Sequence, residues 1–300
     1  MSKAILITGA TGKQGGAVIK ALLAANSGFQ LLAVTRDKAS ASAQRLASKS
    51  GQISLVQGNL NDTESIFKEA KKITSLPIWG VFSVQTPAMN KEGPVIEENQ
   101  GKALVDSAIK HGVKHFVYSS VDRHGDASTN NKTDIPHFIS KHNIEHHLFD
   151  ATKGRDMSWT VLRPVAFMEN FDGGMLGKVF ASAWKRVVRS RPLQLVATDD
   201  IGVFAAKSFV DPEKYGGRCI SLAGDELTYA QMMEVFREKT GAEAPRTWDI
   251  VARTALWMSK EMGTMFAFFE REGYGADIEA LKKEHPGMIN LATWLDRRKA

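Results

Sequence analysis

Cysteine is nearly absent from this chain: Cys219 is the single one among 300 residues. One cysteine excludes an intrachain disulfide framework and a cysteine-rich metal site, as is typical of proteins kept in a reducing compartment. The sequence also lacks an apolar run of about 18 residues that could span a bilayer, and its first residues show no signal-peptide pattern. We therefore expect no membrane association and a cytoplasmic location, with the nucleus as an alternative.

Acidic residues are outnumbered, with 33 aspartates and glutamates against 39 lysines and arginines, which gives a formal net charge of +6. The basic residues are scattered, apart from one local cluster of Lys185, Arg186, Arg189 and Arg191. This distribution does not form the basic stripe of a nucleic-acid-binding protein, and the cluster is typical of a solvated helix end. We expect no direct contact with nucleic acid, and the positive field suits attraction of a multiply anionic cofactor.

Strand and helix patterns alternate through the first half of the chain. The predicted strands are Ala4–Thr8, Gln30–Thr35, Ile53–Gln57, Trp79–Val84, His115–Ser119 and Trp159–Arg163. The predicted helices between them are Gly15–Ala25, Ser40–Ser48, Thr63–Lys71, Pro94–His111 and Pro136–Ala151. Such alternation predicts βαβ units and therefore an α/β fold: a Rossmann-type, doubly wound parallel sheet with helices on both faces.

The alternation loosens after Pro164. Apolar segments then mix with predicted helices; the segments are Arg163–Phe171, Gly202–Phe209 and Arg218–Leu222, and the helices are Thr228–Thr240, Ala252–Arg271 and Ile278–Lys283. We predict a Rossmann core over residues 1–164 and a smaller mixed α/β substrate or partner lobe over residues 165–300. Some strands of this lobe are expected to return to the main sheet. Ligands of open α/β sheets bind along the carboxyl edge of the strands, so the lobe is expected to cap that edge.

A glycine-rich segment joins the first predicted strand to the first helix. Gly9 permits a tight turn, Gly12 lets backbone approach a pyrophosphate, and Gly15 lets the helix pack closely on the sheet. The N-terminus of the helix then offers N–H groups and a positive dipole end to phosphates. The sequence therefore predicts a dinucleotide site whose turn contributes Gly9, Thr11, Gly12, Lys13, Gln14 and Gly15.

The end of the second predicted strand distinguishes NADP from NAD. An acidic residue there would bind a ribose 2′-hydroxyl, whereas this chain has Arg36, which can pair with a 2′-phosphate. Lys13 could add a second positive group, and Asp37 is expected to point away or to cap the next turn. NADP(H) is therefore the predicted cofactor. The adenine pocket is expected at Asn59 and Leu60, and the nicotinamide ribose is expected beside Gln85 and Thr86, within the segment 83–87.

Several short segments together resemble the NmrA-like family of atypical short-chain dehydrogenases/reductases. They are spread over nearly the whole chain, at Thr8–Gly16, Val34–Arg36, Gly58–Leu60, Val117–Ser120, Ser140–Lys141, Leu162–Pro164, Met168–Phe171, Asp200–Gly202, Gly273–Tyr274 and His285–Gly287. The resemblance implies a Rossmann fold, NADP(H) binding and one of two activities. Some members are reductases of small molecules, and others are redox-responsive regulators that act through a protein partner.

The related enzymes carry Tyr-x-x-x-Lys on one helix, where the lysine holds the nicotinamide ribose and lowers the tyrosine pKa. This chain has Lys141, but His137 stands where the tyrosine is expected. His137 can be a substitute acid, a wall of the substrate pocket or an ordinary surface residue. Lys141 can contact the cofactor or can pair with Glu145, four residues on. Ser119 and Ser120 can orient a substrate oxygen or simply form a turn.

Residues beyond Pro164 are candidates for the substrate side. The resemblance places the nicotinamide carboxamide against backbone near Val165. Possible walls of the substrate pocket, each equally suited to core packing, are Phe167, Met168, Asn170 and Phe171. The methionines and aromatics of Trp257–Phe269 suit a core, an apolar substrate lid or a partner groove.

The helix around His142 also contains a pattern that some zinc enzymes use. His142, Glu145 and His146 fit H-x-x-E-H, but no third ligand follows them, so no metal is expected.

Two functions follow from these residues. The first is an NADPH-dependent oxidoreductase of a small, largely apolar carbonyl, imine or enone substrate. The second is an NADP(H)-binding redox sensor that regulates a protein partner without turnover. The missing tyrosine favours the sensor, whereas Lys141 and the aromatic second lobe favour the enzyme, which we prefer. A redox-neutral enzyme that keeps NADP as a structural cofactor is a third alternative, and the oligomeric state is left open.

Overall fold

The computed structural model describes residues 3–86, 92–172, 174–247 and 260–298. Its main sheet has seven strands in the order β3-β2-β1-β4-β5-β6-β9. Their bounds are β1 Ala4–Ile7, β2 Gln30–Thr35, β3 Ile53–Gln57, β4 Ile78–Ser83, β5 His115–Ser119, β6 Ser158–Pro164 and β9 Arg218–Leu222. Strands β1 to β6 pair in parallel. This order is that of a doubly wound Rossmann sheet, so the predicted fold class is confirmed.

Helices follow the strands of this sheet one by one. They are α1 Lys13–Ala24, α2 Ala41–Ala47, α3 Thr63–Ile73, α4 Gly93–Lys110 and α5 Pro136–Thr152. Local chemistry explains their starts, since Ser40 and Asp62 accept backbone N–H groups at the beginnings of α2 and α3 and Pro94 occupies the first turn of α4. The predicted bounds of these helices are therefore correct to within about two residues.

A smaller three-stranded sheet has the order β10-β8-β7, with β7–β8 parallel and β10–β8 antiparallel. Its strands are β7 Ala166–Phe167, β8 Leu193–Val196 and β10 Asp225–Leu227. The remaining helices are α6 Met175–Ala183, continued by a π-helical turn Trp184–Val188, then α7 Thr198–Val210, α8 Pro212–Tyr215, α9 Tyr229–Thr240, α10 Lys260–Arg271, α11 Ile278–Glu284 and α12 Leu291–Arg297. Short 3₁₀ turns occupy Gly125–Thr129 and Met168–Asp172.

One segment differs from its prediction. Gly202–Phe209, which the sequence set apart from the helices, lies inside helix α7. Its buried residues Ile201, Phe204 and Ala205 follow helical spacing. Gly202 is needed inside the helix because a Cβ atom there would lie 2.4 Å from the Ala17 carbonyl oxygen. The glycine marks a close helix contact and not a break.

Backbone contacts divide the chain into two compact units, each assembled from several segments. The first comprises residues 1–120, 139–162 and 201–220, and the second comprises residues 121–138, 163–200 and 221–300. The first unit has an aliphatic core between sheet and helices, and the second has a core rich in aromatics and methionines. The predicted boundary after residue 164 stays a prediction.

The methionine- and aromatic-rich segment near residue 260 contributes to the core of the second unit. Of the predicted helix 252–271, residues 260–271 form α10, and Trp257 and Met258 lie outside the described residues. Phe266, Phe268 and Phe269 are buried, which favours the core role. Arg191, from the basic cluster, donates to the carbonyl oxygens of Glu270, Arg271 and Glu272 at the end of α10. In the described parts of the chain, no helix is long and apolar enough to cross a bilayer.

Asp200, in the first turn of α7, is a buried carboxylic acid that predicts a pH dependence of stability. It is 1% exposed, accepts the Ile289 N–H at 2.9 Å, and lies 3.7 Å from His285 Nε2. Burial raises the pKa of Asp200 from 3.8 to about 7. Because the folded-state pKa exceeds the unfolded-state value, this carboxyl stabilises the fold fully below about pH 4, and the contribution is lost as the pH rises through about 7.

We expect Asp200→Asn to remove this dependence. Between pH 5 and pH 8 the free energy of unfolding of the wild type should fall, relative to that of the asparagine variant, by roughly 2–3 kcal/mol. Urea unfolding of both proteins at the two pH values measures the difference. Asp156→Asn, at a side chain that is 91% exposed, is the control and should behave as the wild type. Parallel pH profiles of Asp200→Asn and the wild type would contradict the prediction.

Candidate cofactor and active site

The strand order of the main sheet reverses beside β1, and this is the point at which open α/β sheets bind ligands. The carboxyl ends of β1 and β4 are joined there by reciprocal hydrogen bonds. Thr8 Oγ1 donates to the Val84 carbonyl at 2.9 Å, and the Val84 N–H donates to Thr8 Oγ1 at 2.8 Å. Thr8 is fully buried, so this link fixes the start of the glycine turn relative to β4.

The glycine turn has the shape that a pyrophosphate requires. Gly9 has a φ of +59°, and a Cβ atom on Gly15 would lie 2.4 Å from the Gly9 carbonyl oxygen and 2.8 Å from the Ala10 nitrogen. Gly12 precedes the first residue of α1, and no side chain of the described residues caps this helix. Its N-terminal N–H groups can therefore bind an anion beside Thr11 and Lys13, which are both exposed.

A cleft of about 450 Å³ lies at the ends of β2 and β3, where an adenosine 2′-phosphate is expected. Its lining contains two cations, and consists of Arg36, Lys38, Gln57, Gly58, Asn59, Ser65 and Glu69. Asp37 Oδ1 accepts the Ala39 N–H at 2.8 Å and so caps the following turn, as the sequence predicted. The Leu60 side chain packs against the core of the first unit. The one carboxylate of the lining, Glu69, pairs with Lys72 at 2.6 Å, so the two basic side chains give the cleft a positive balance that suits a phosphate ester.

The segment after β4 contains an unusual buried amide. Gln85 is 3% exposed, and its Nε2 donates to Ser83 Oγ at 2.9 Å. Its Oε1 atom is buried and has no hydrogen-bond donor in the part of the chain that the structure describes. Buried acceptors are normally paired, so Gln85 is suited to a donor on a ligand such as a ribose hydroxyl. The neighbouring Thr86 is exposed.

The end of β5 connects the glycine turn to α5. Ser119 Oγ donates to Gln14 Oε1 at 2.5 Å, and Ser120 Oγ donates to Glu145 Oε1. Both serines are almost fully buried. These hydroxyls therefore hold the predicted turn residue Gln14 and the inner face of α5 against the sheet.

Lys141 lies on the same face of α5 with a side chain that is 13% exposed. The alternative partner of Lys141, Glu145, has an Oε1 atom that accepts the Ser120 hydroxyl. Lys141 Nζ lies 2.8 Å from Glu97 Oε1 of helix α4 instead, and 6.0 Å from the Tyr118 ring centroid. The lysine is thus held inside the first unit and is not a solvated helix lysine.

His137, one helical turn before Lys141, forms a pair with a carboxylate of α10. Its Nδ1 lies 2.5 Å from Glu261 Oε1, and its backbone N–H donates to the same oxygen at 3.2 Å. The imidazole is one quarter exposed. The hydrogen bond from His137 lowers the pKa of Glu261, which keeps this carboxylate ionised. A carboxylate on Nδ1 orients the ring and assigns proton exchange to Nε2.

The candidate residues beyond β6 divide into core and intermediate positions. Met168 and Phe171 are buried, and the Phe171 ring packs edge-on against Phe180 and Phe236. Phe167 and Asn170 are half-buried. The Val165 N–H donates to the Leu222 carbonyl at 3.2 Å, so the pairing of β6 with its neighbour β9 extends to the residue at which the resemblance places the carboxamide.

Two histidines of α5 pack against each other. The rings of His142 and His146 lie 4.2 Å apart, whereas Glu145 is directed to Ser120. Among the residues that the structure describes, no group of three or more histidines, cysteines or carboxylates could hold a metal ion.

Two residues of this region were missed from the sequence. Glu97 could have been found, because it shares the buried face of α4 with Gly101, Leu104 and Ala108 at helical spacing. Glu261 gave no such indication, since its contact with His137 spans 124 residues.

Together, the sheet order, the glycine turn and the cationic cleft define a dinucleotide-binding Rossmann protein. A model of the NmrA-like family matches residues 1–290. The chain belongs to the NmrA-like family.

Known relatives include enzymes and a regulator. The NmrA-like family domain-containing oxidoreductase hkm9 of Aspergillus hancockii is 29% identical over 264 residues, which are 81% of this chain and 74% of hkm9. The NADPH-dependent quinone oxidoreductase QOR2 of Escherichia coli, solved with NADPH, has a TM-score of 0.74 at 20% identity over 99% of this chain and 100% of QOR2. The negative transcriptional regulator NmrA has a TM-score of 0.70 at 17% identity over 99% and 95%.

Proposed function

We propose that this protein binds NADP(H) and is an oxidoreductase of a small, largely apolar carbonyl, imine or enone substrate. The observation that carries the proposal is the glycine turn at the switch point of the sheet. A side chain at Gly15 would collide with backbone, and the end of the neighbouring strand offers Arg36 and Lys38. The glycines leave room for the pyrophosphate to approach the backbone, and Arg36 and Lys38 lie where a 2′-phosphate is expected. Both features suit NADP(H).

The residues of this chain have distinct roles in the proposed reaction. When bound, the reduced nicotinamide supplies a hydride to the electrophilic carbon. Lys141 binds the ribose hydroxyls and orients the ring. His137 donates a proton from Nε2 to the substrate oxygen or nitrogen, while Glu261 stabilises the protonated imidazole through Nδ1. Hydride and proton together add across one double bond, so the product is the reduced substrate.

A structural neighbour supports the proposed substrate class. QOR2 acts on quinones, which are conjugated enones, and this supports the same class of acceptor for this chain. A cytoplasmic location, in keeping with the single cysteine, belongs to the same proposal. The likeness to the regulator NmrA keeps a sensor without turnover as the second candidate, and its ligand would be a protein partner.

A pair of glycine variants tests cofactor binding at this site. A Cβ atom on Gly15 meets backbone at 2.4 Å, whereas one on Gly16 lies 3.6 Å from the Ala10 oxygen, an ordinary contact. We expect Gly15→Ala to weaken NADPH binding at least tenfold, by roughly 1.4 kcal/mol or more, and Gly16→Ala to bind as the wild type. NADPH fluorescence titration measures both. Equal affinities of the two variants would contradict the assigned site.

Turnover is tested on the same three proteins. NADPH absorbance is followed with p-benzoquinone, an α,β-unsaturated ketone, an aromatic ketone and a cyclic imine as acceptors. We expect acceptor-dependent oxidation by the wild type and Gly16→Ala, with Gly15→Ala strongly reduced. Tight NADPH binding with no oxidation of any acceptor would contradict the enzyme and favour the sensor, whose partner must then bind NADPH- and NADP⁺-loaded protein with different affinities.

A further inference from the structure

A buried carboxylate on α4 contacts two consecutive residues of α5. Glu97 is 1% exposed, and its Oε2 accepts the Ser140 hydroxyl at 2.8 Å while its Oε1 lies 2.8 Å from Lys141 Nζ. The adjacent Glu98 lies on the same helix but pairs with Lys102 and with Asn143 Nδ2. Two neighbouring glutamates thus bind the same helix α5, and only Glu97 reaches the predicted cofactor lysine.

Close helix packing makes this contact possible. Gly101, one turn after Glu97, has no side chain where a Cβ atom would lie 2.4 Å from Ile144 Cδ1. Ile144 is itself one turn after Ser140 and is fully buried. The glycine therefore lets α4 and α5 approach closely. At this distance the Glu97 side chain reaches both Ser140 and Lys141.

The ion pair between Glu97 and Lys141 is better explained by positioning of the lysine than by a gain in stability of the fold. Removing a carboxylate and an ammonium from water is costly, and apolar residues of similar size often stabilise a protein equally well. A lysine ammonium carries three N–H donors, so the 2.8 Å ion pair with Glu97 leaves Lys141 with donors for other acceptors. The vicinal hydroxyls of a ribose present two acceptors at a fixed separation.

We propose that Glu97 is the positioning residue of Lys141. It fixes the position of the ammonium through the ion pair and so directs the N–H donors of Lys141 to the nicotinamide ribose. Glu97 does not touch the cofactor and acts through Lys141, while Ser140 holds the second oxygen and sets the orientation of the carboxylate. This assignment rests on the proposed binding of NADP(H), and it extends that function by a residue outside the glycine turn and α5.

Two ligands separate this role from a structural one. NADPH fills both halves of the proposed site, whereas adenosine 2′,5′-bisphosphate fills only the adenosine half. We expect Glu97→Gln to weaken NADPH binding roughly tenfold and to leave the affinity for the bisphosphate within about twofold of the wild type. Glu98→Gln, the adjacent residue with its own α5 contact, is the matched control and should change neither affinity. Calorimetric titration of the wild type and both variants with the two ligands measures all six dissociation constants.

A double-mutant cycle tests whether Glu97 acts through Lys141. In a Lys141→Met background, Glu97→Gln should cause no further loss of NADPH affinity, because the group that it positions is gone. If Glu97→Gln does not fold, Glu97→Asp, which keeps the charge but shortens the reach, replaces it in the same cycle. Additive losses, or equal losses for NADPH and the bisphosphate, would overturn the proposal. A wild-type chain that binds neither ligand would instead contradict the proposed function.

Discussion

Replacement of Arg36 by glutamate is expected to reverse the cofactor preference of this protein. The variant should bind NADPH on the order of 100-fold more weakly, because a charge-assisted contact to the 2′-phosphate is lost and a repulsive one replaces it. NADH carries no 2′-phosphate, and a carboxylate at this position can accept its ribose hydroxyl, so the affinity for NADH should hold or improve. Fluorescence titration with both nucleotides measures the change.

The geometry of the cleft makes this effect large but incomplete. Arg36 shares the cleft with Lys38, which retains part of the attraction for a phosphate. Arg45→Glu, on the exposed surface of α2, makes the same change in net charge away from the cleft and serves as the control. If Arg45→Glu loses as much NADPH affinity as Arg36→Glu, the loss comes from the overall electrostatic field of the protein. If Arg36→Glu loses as much affinity for NADH as for NADPH, Arg36 does not recognise the 2′-phosphate.

The fold could be predicted from the sequence because its determinants are local. Apolar strands, caps and glycine stops lie within each βαβ unit, and β2, β3 and β5 have the predicted bounds. Helix α1 begins at Lys13, two residues before its prediction, because the turn ends in the extended backbone of Gly12. Gly202–Phe209 was not predicted as a helix because the reason for its glycine is a tertiary contact: Gly202 packs closely against Ala17.

The candidate site also contains residues that could be predicted from the sequence and residues that could not. The glycine turn and Arg36 each directly follow a predicted strand, β1 and β2, so the sequence alone places both at the carboxyl edge of the sheet. The partners of Lys141 and His137 are not neighbours: Glu97 reaches α5 across 43 residues at Ser140, and Glu261 reaches it across 124. A carboxylate on an apolar helix face can be noticed in a sequence, but the side chain that it pairs with depends on helix packing.

The second large effect is expected at His137. His137→Asn should lower kcat by roughly 100-fold or more, the usual contribution of a positioned general acid, and should leave NADPH affinity nearly unchanged. Glu261→Gln should lower kcat less, since the ring remains but its protonated form loses the carboxylate at 2.5 Å. Steady-state kinetics with whichever acceptor the wild type reduces, together with NADPH titration, measure the two parameters.

Helix α5 and helix α10 provide matched controls for this pair. His147 also binds a carboxylate, Asp106 at 2.7 Å, and Glu270 is an exposed glutamate of the same helix as Glu261. His147→Asn and Glu270→Gln should leave kcat unchanged. Full turnover by His137→Asn would assign the proton to water or another group and leave His137 as a wall of the pocket. A reduced kcat in His137→Asn alone, with Glu261→Gln at the wild-type rate, would mean that the imidazole works without its carboxylate, and the pair would then be a contact of the fold and not part of the chemistry.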